Sequence, residues 1–97
     1  MFEQEITALQ RIIDESANIV FFGGAGVSTE SGIPDFRSED GLYHTKYSYP
    51  PERILSHSFF IQNPEVFYTF YREKILYLDA KPNPAHKKLA ELEKLGK

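Results

Sequence analysis

The sequence predicts an α/β fold that is mostly helical, with one strand of a parallel sheet at residues 18–22. Residues 19–22 are all apolar and either β-branched or aromatic, which is typical of a central strand covered on both faces. Gly23, Gly24 and Gly26 follow directly and predict a tight turn. Elsewhere the apolar residues recur with the spacing of amphipathic helices.

Length and composition limit the class of protein. A chain of 97 residues is large enough for one small domain. A net charge of −3 gives no broad basic surface, so no nucleic-acid partner is expected. The absence of cysteine excludes disulfides and thiolate metal sites within the chain. The charged N-terminal residues do not form a signal peptide or a membrane span, so we expect a cytoplasmic protein without a membrane partner.

The glycine turn resembles a phosphate-binding loop. Gly24 and Gly26 allow the backbone N–H groups to approach a phosphate closely. Ser28, Thr29 and Ser31 are placed to cap a short following helix. Thr29 stands where the dinucleotide pattern G-x-G-x-x-G requires its third glycine. The pattern alone therefore leaves two possibilities open, phosphate binding and a tight connection without a ligand.

The remaining segments are expected to be helical or irregular. A helix is predicted over residues 2–13, with an apolar stripe that should cover the strand. Residues 32–51 have no periodicity and contain Tyr43, Tyr47 and Tyr49, so we expect a loop that becomes ordered over a ligand. Further helices are predicted over residues 50–55, 56–62 and 63–77, the last with a buried stripe at Phe67, Tyr71, Ile75 and Leu78.

A last helix should begin at the cap Asn83-Pro84 and end near Gly96, with Ala85, Leu89 and Leu92 on its apolar face. A single strand cannot form a sheet, because its unpaired backbone groups are costly to bury. The sequence is therefore expected to be the N-terminal portion of a longer domain. Alone, it should self-associate through residues 19–22.

Two longer motifs carry a resemblance to a known family. They are Gly24-Ala25-Gly26-Val27-Ser28 and Ser31-Gly32-Ile33-Pro34-Asp35-Phe36-Arg37-Ser38, continued by Asp40-Gly41-Leu42-Tyr43. With these motifs the chain resembles a bacterial-type member of the sirtuin (Sir2-type) family of NAD-dependent protein deacylases. The resemblance implies that residues 1–97 are the N-terminal portion of a Rossmann-like NAD-binding domain, with a cofactor-binding loop at about residues 24–49.

The resemblance also implies a reaction and a set of cofactor contacts. The parent protein would transfer the acetyl group of acetyl-lysine in protein substrates to the ADP-ribose of NAD and release nicotinamide. Phe36 would shield the reacting ribose from water, and Arg37 would pair with phosphate or ribose oxygens. Ile33 and Asp35, separated by Pro34, would hold the nicotinamide amide. The remaining implied contacts to NAD are Gly24, Ala25, Gly26, Ser28, Thr29 and Tyr43.

Several family features have no match in this chain. The general-base histidine would lie beyond Lys97, and His44, His57 and His86 do not match its motif. The zinc cysteines are absent, so zinc is expected in the parent protein only. These gaps predict that the chain alone is inactive. Tyr68 matches half of the Tyr-x-x-Arg pair of desuccinylating members, whose arginine position is Tyr71 here, so acetyl or other neutral acyl groups are expected.

Two readings from other functional classes remain. The chain could be a non-enzymatic nucleotide-binding module, which requires only the glycine turn. It could also be a helical interaction domain in which this turn is a simple connection.

Overall fold

The computed structural model describes residues 1–44 and 46–97. Their regular structure is helical. A π-helical turn, Tyr71–Ile75, directly follows the fourth α-helix, and 3-10 turns occupy Ala25–Ser31 and Leu42–His44. The α-helices in the described residues are α1 (Glu3–Glu15), α2 (Pro51–Ile54), α3 (His57–Gln62), α4 (Pro64–Phe70) and α5 (Pro84–Lys94).

The predicted strand at residues 18–22 is not formed. Among the described residues no strand occurs, and residues 19–24 are irregular. Ile19 donates its N–H to the carbonyl of Lys97 (2.6 Å), and no further backbone bond is made by residues 20–23 within the described part of the chain. The prediction failed because an apolar run becomes a strand only when a second strand satisfies its backbone groups.

Helix α1 confirms the predicted first helix but not its packing. None of its residues is buried, and Leu9 is 56% exposed, so its apolar stripe does not cover residues 18–22. The helix is attached at its C-terminal end by Lys97. The Lys97 ammonium donates to the carbonyls of Ile13 (3.0 Å), Asp14 (2.7 Å) and Ser16 (2.9 Å), and a cation there complements the helix dipole.

The hydrophobic core lies between the 3-10 turn at Leu42–His44 and helices α2 to α4. Its buried members are Leu42, Ile54, Phe59 and Phe70. The predicted stripe on the fourth helix was partly wrong, since Leu78 is 86% exposed and Phe70 is fully buried. The predicted helix over residues 63–77 ends as an α-helix at Phe70, and the π-helical turn changes which side chains then face the core.

The helix caps were predicted with mixed success. Asn83 caps α5 by accepting from the N–H groups of Ala85 (2.9 Å) and His86 (3.4 Å). Gly96 follows the C-terminal end of this helix with φ 75°, as a glycine after a helix usually does. Asn63 precedes Pro64 in the same pattern, but its side chain makes no cap bond.

No helix in residues 1–44 or 46–97 is both long and apolar enough to cross a membrane.

Candidate functional site

The glycine turn forms a 3-10 helix over Ala25–Ser31 that begins after Gly24. Ser28, Thr29 and Ser31 lie inside this helix, so the prediction that they cap its start was wrong. Thr29 Oγ1 donates to the Gly26 carbonyl (2.9 Å). The N–H groups of Ala25 and Gly26 donate to no acceptor among the described residues, because the first donors of a helix have no partner in the preceding turn.

A cavity of about 230 Å³ separates the glycine turn from the π-helical turn. Ala25 and Ser28 line it on one side, and Lys74 and Ile75 line it on the other. Its remaining walls are apolar or aromatic and comprise Ile33, Pro34, Phe36, Leu42 and Tyr77. Five predicted cofactor residues, Ala25, Ser28, Ile33, Pro34 and Phe36, therefore meet around one cavity.

Two further clefts adjoin this cavity at Ile33, which lines all three. One cleft is polar and contains Thr29, Asp35, Ser38 and Asp40 beside Ile33 and Pro34. The other lies between the glycine turn and the start of α5, and its walls include Ser28, Ser31 and His86. The predicted residues thus lie around Ile33, except Gly24, Gly26, Arg37 and Tyr43, which line none of these spaces.

The segment from Asp35 to Tyr43 is a closed loop. Leu42 donates its N–H to the Asp35 carbonyl (2.6 Å), and Tyr43 donates to the Phe36 carbonyl (2.8 Å). Gly41 makes this closure possible, since a Cβ there would lie 2.8 Å from the carbonyl carbon and oxygen of Phe36. Asp35 Oδ1 accepts from the backbone N–H of Ser38 (3.3 Å) and from its hydroxyl.

Arg37 and Phe36 both contact the ring of Tyr43. The Arg37 guanidinium carbon lies 5.2 Å from the ring centroid, within the range of a cation–π contact. The centroids of Phe36 and Tyr43 are 5.3 Å apart. The Tyr43 ring therefore contacts both Phe36 and Arg37 at one end of the closed loop.

A half-buried hydrogen-bond network joins the glycine turn to α5. Asn83 is 6% exposed, and its amide nitrogen donates to the Val27 carbonyl (2.8 Å) and to Ser31 Oγ (3.1 Å). His86 Nδ1 accepts from the backbone N–H of Asn83 (3.1 Å), so Nε2 faces Ser28 Oγ at 3.4 Å as the possible donor. His86 therefore hydrogen-bonds both to the start of its own helix and to the glycine turn.

Sequence reasoning missed the contributions of Lys74 and Asn83 to the site. Asn83 was identified only as a helix cap, although its amide also fixes the glycine turn. No sequence pattern indicates that Lys74 lines the cavity or that Asn83 fixes the glycine turn. Both roles depend on contacts between segments that are distant in the sequence. Lys74 enters the cavity wall through the π-helical turn, and such turns occur often at functional sites.

The residues present suit a dinucleotide that carries a planar aromatic ring. The glycine turn offers two free N–H donors, and added Cβ atoms at Gly24 and Gly26 would meet nothing within 4 Å, so its surface is open for a close approach. The adjoining cavity is mainly apolar, which suits a planar ring with few polar groups. Among the described residues no group of His, Cys, Asp or Glu could hold a metal ion.

Comparison with known proteins agrees with this geometry. The profile of the Sir2 family matches residues 24–97, which include the whole region just described. The chain belongs to the Sir2 family. Membership implies a Rossmann-like domain, of which the described residues form a mostly helical part.

Curated Sir2 relatives are similar over nearly the whole chain. An NAD-dependent protein deacetylase of Clostridium acetobutylicum is 62% identical over 95 residues, covering 96% of this chain and 39% of the relative. One of Clostridium tetani is 65% identical over 91 residues, covering 92% and 37%. The NAD-dependent protein deacylase 2 of Archaeoglobus fulgidus is 48% identical over 94 residues, covering 97% and 36%. No solved structure matches the chain significantly.

The chain spans about two fifths of the length of these relatives. The cofactor-binding loop predicted at about residues 24–49 includes Thr45, which lies outside the described residues. Within the remainder of that loop, Ala25, Ser28, Ile33, Pro34 and Phe36 line one cavity, and Arg37 lies over the Tyr43 ring.

Proposed function

We propose that this chain forms one side of the NAD site in a cytoplasmic NAD-dependent protein lysine deacetylase. The observation that carries the proposal is the convergence of five motif residues on the cavity beside Ile33, in a chain that belongs to the Sir2 family. Bound NAD supplies the ADP-ribose that accepts the acetyl group of acetyl-lysine, with release of nicotinamide. The protein substrates are acetylated proteins or peptides.

The glycine turn binds the pyrophosphate in this proposal. Ala25 and Gly26 present free N–H groups on an open surface, and Gly24 leaves room for the phosphate. Ser28 and Thr29 supply further polar groups along the same turn. Asn83 and His86 position these residues, since they hold the Val27 carbonyl and the Ser28 hydroxyl from the side of α5.

The nicotinamide side of the site is formed by Ile33, Pro34, Asp35 and Phe36. Ile33 provides an apolar wall, while Pro34 restricts the backbone before Asp35. Ser38 occupies one carboxylate oxygen of Asp35, which leaves Oδ2 to accept from the amide NH₂ of nicotinamide. Phe36 excludes water from the reacting ribose, and Arg37 pairs with phosphate or ribose oxygens once it leaves Tyr43.

The acyl group is proposed to be acetyl. Tyr68 and Arg72 line a cleft beside α4, but Glu65 lines the same cleft. Glu65 offsets the charge of Arg72 in this cleft, and Tyr71 stands where desuccinylating members carry their arginine, so the cleft offers no net positive charge to a succinyl group. A succinyl-lysine peptide should therefore react more slowly than its acetyl counterpart.

The chain alone is proposed to be inactive. The general-base histidine and the zinc site of the family belong, in this proposal, to residues of a longer protein. The isolated chain should bind NAD weakly, because it provides only part of the contacts that would offset the cost of ordering the ligand.

A chimera tests the proposal. Residues 1–97 replace the matching region of the Clostridium acetobutylicum relative, and nicotinamide release is measured with an acetyl-lysine peptide and NAD. We expect activity from the chimera and none from residues 1–97 alone. A folded chimera that binds the peptide but releases no nicotinamide would contradict the proposed function.

Arg37 and Arg53 provide a matched pair within the chimera. Both are exposed, and each lies over a tyrosine ring, at 5.2 Å for Arg37 and 5.6 Å for Arg53. Arg37→Ala should lower kcat/KM at least tenfold, since a charge-assisted contact contributes roughly 1.5–3 kcal/mol. Arg53→Ala should leave it unchanged. Equal effects of the two substitutions would remove Arg37 from the cofactor site.

A further inference from the structure

Lys74 brings a positive charge into the wall of the cavity between the glycine turn and the π-helical turn. It belongs to the π-helical turn Tyr71–Ile75, and turns of this kind are frequent at functional sites. The residue is half-buried. Ala25 and Ser28 line the other side of the same cavity. A half-buried cation therefore faces two residues that the proposed function assigns to NAD.

The other residues around the cavity do not neutralise this charge. In the described parts of the chain, the cavity lining includes no carboxylate. Glu73 is the adjacent residue in the sequence, but its carboxylate accepts a hydrogen bond from the Tyr47 hydroxyl (2.9 Å). Successive residues of a helix do not face each other, so the Glu73 and Lys74 side chains can serve different neighbours. An ammonium group beside apolar walls attracts an anion more strongly than it does in water.

The cavity is small enough that groups on both of its sides reach the same part of a ligand. Its volume is about 230 Å³, whereas pockets that hold a whole drug-sized molecule measure roughly 300–1,000 Å³. The cavity therefore accommodates one part of a dinucleotide. An anionic group that is bound by the glycine turn near Ser28 would also lie within reach of the Lys74 side chain, which is long and flexible.

We propose that Lys74 binds a phosphate oxygen of NAD, on the side of the pyrophosphate opposite the glycine turn. This inference rests on the proposed function, in which the glycine turn binds the pyrophosphate. NAD carries a positive charge on its oxidised nicotinamide ring and negative charges on its phosphates. The Lys74 ammonium is therefore attracted to the phosphates and repelled by the ring. Lys74 increases the affinity for the cofactor and takes no part in breaking the bond to nicotinamide.

Binding of ADP-ribose to the chimera with the Clostridium acetobutylicum relative tests the inference without turnover. ADP-ribose contains the pyrophosphate but lacks the nicotinamide ring, and calorimetry measures its dissociation constant. Lys74→Met keeps an apolar stem and removes the charge. It should raise the dissociation constant at least tenfold, because charge-assisted hydrogen bonds are stronger than neutral ones. Lys74→Arg keeps the cation and should retain most of the affinity.

Lys87→Met is the matched control for the loss of one positive charge. Lys87 is exposed on α5 and lies outside the cavity wall, so this substitution should leave the affinity for ADP-ribose unchanged. Circular dichroism checks that each variant keeps its helices.

Steady-state kinetics of the same chimera separate a phosphate contact from other roles of Lys74. Lys74→Met should raise the KM for NAD at least tenfold, while kcat and the KM for the acetyl-lysine peptide stay within about twofold. Inhibition by free nicotinamide should be unchanged, since nicotinamide carries no phosphate.

Chemical labelling locates the contact at the lysine itself. Acetic anhydride acetylates accessible lysine amines, and mass spectrometry measures the extent at each position. Saturating ADP-ribose should protect Lys74 and leave Lys87 equally reactive, whereas nicotinamide should protect neither.

Two results would overturn the inference while the proposed function stands. One is an unchanged affinity for ADP-ribose in Lys74→Met, in a chimera that binds ADP-ribose and releases nicotinamide. The other is a Lys74→Met variant that slows only a succinyl-lysine peptide, since the ammonium would then contact the acyl group. A folded chimera that neither binds ADP-ribose nor releases nicotinamide would contradict the proposed function and this inference together.

Discussion

The chain contains two regions of similar sequence character and opposite packing. Residues 1–24 and residues 42–75 are both rich in large apolar side chains. In the second region Ile54 and Phe70 have no exposed surface, whereas in the first Phe22 is 100% exposed. Apolar content therefore does not decide burial. Residues 42–75 bury their side chains because several short helices meet there, while no residue of the segment 1–24 is buried.

The largest expected effect on this contrast comes from replacing one large apolar side chain in each region by alanine. Phe70→Ala should lower the free energy of unfolding by about 3–5 kcal/mol, because it leaves a cavity in the core. Leu9→Ala should change it by less than about 0.5 kcal/mol, since Leu9 is 56% exposed. Urea unfolding at low protein concentration measures both values. Similar losses would mean that α1 packs against the core in solution.

A second test concerns the closed loop from Asp35 to Tyr43, which contains part of the motif and the core residue Leu42. Gly41→Ala should cost about 1–3 kcal/mol, because the new Cβ would lie 2.8 Å from the Phe36 carbonyl. The amides of Leu42 and Tyr43 should then exchange faster with solvent. Gly26→Ala is the control, since a Cβ there meets no atom within 4 Å. Unchanged exchange in Gly41→Ala would show that the loop closes without this glycine.

A third test compares two asparagines that precede helices in the same Asn-Pro pattern. Asn83→Ala should destabilise the protein by about 1–2 kcal/mol, since its side chain bonds both the start of α5 and the Val27 carbonyl. Asn63→Ala should cost far less, because the Asn63 side chain makes no cap bond. Thermal unfolding of the two variants compares them directly, and an equal loss would contradict the network.

The smallest effects are two pKa shifts, one in each region. A hydrogen bond to Glu73 (2.9 Å) raises the pKa of the Tyr47 phenol, and a hydrogen bond from the N-terminal amine lowers the pKa of Glu3. The Tyr47 contribution to stability is present below its unfolded pKa and is lost as pH rises through the raised folded value. The Glu3 contribution is present above its unfolded pKa and is lost as pH falls through the lowered folded value.

These shifts depend on different kinds of contact. Tyr47 reaches Glu73 across the fold and packs on Phe70 with ring centroids 5.1 Å apart, whereas Glu3 is two residues from Met1. Phe70→Ala should return the pKa of Tyr47 toward its ordinary value and leave that of Glu3 lowered. Phenolate absorbance, with Tyr47→Phe as the reference, and NMR titration of Glu3 measure the two. A shift retained at Tyr47 would contradict its dependence on packing.

Local signals in the sequence predicted much of the fold. Asn83-Pro84 before α5 identified a helix start, because caps act within three residues. The strand at residues 18–22 was not predictable in the same way, since its formation depends on a partner strand. Phe70 lies three residues after Phe67 in α4, on the same helical face, so the spacing was compatible with its burial although the predicted stripe left it out. Leu78 was wrongly included because the helical turns end at Ile75.

The sequence predicted which motif residues belong to the candidate site better than it predicted their spatial arrangement. The motif identified Ala25, Ser28, Ile33 and Phe36, which the structure brings to one cavity. Their cofactor roles stay predictions. Lys74 could not be found from the sequence, because its place in the cavity wall depends on the packing of the π-helical turn against the motif loop. Residue identity is local information, whereas the walls of a cavity come from distant segments.

The π-helical turn at Tyr71–Ile75 also bears on how the chain can change in length. A π turn contains one residue more than an α-helical turn along the same path. Deleting one residue inside it would yield an ordinary helix and leave the segments on both sides in their places. The same deletion within α4 would rotate every following side chain by about 100°. Insertions and deletions among related chains should therefore be tolerated at this turn and selected against in the helix before it.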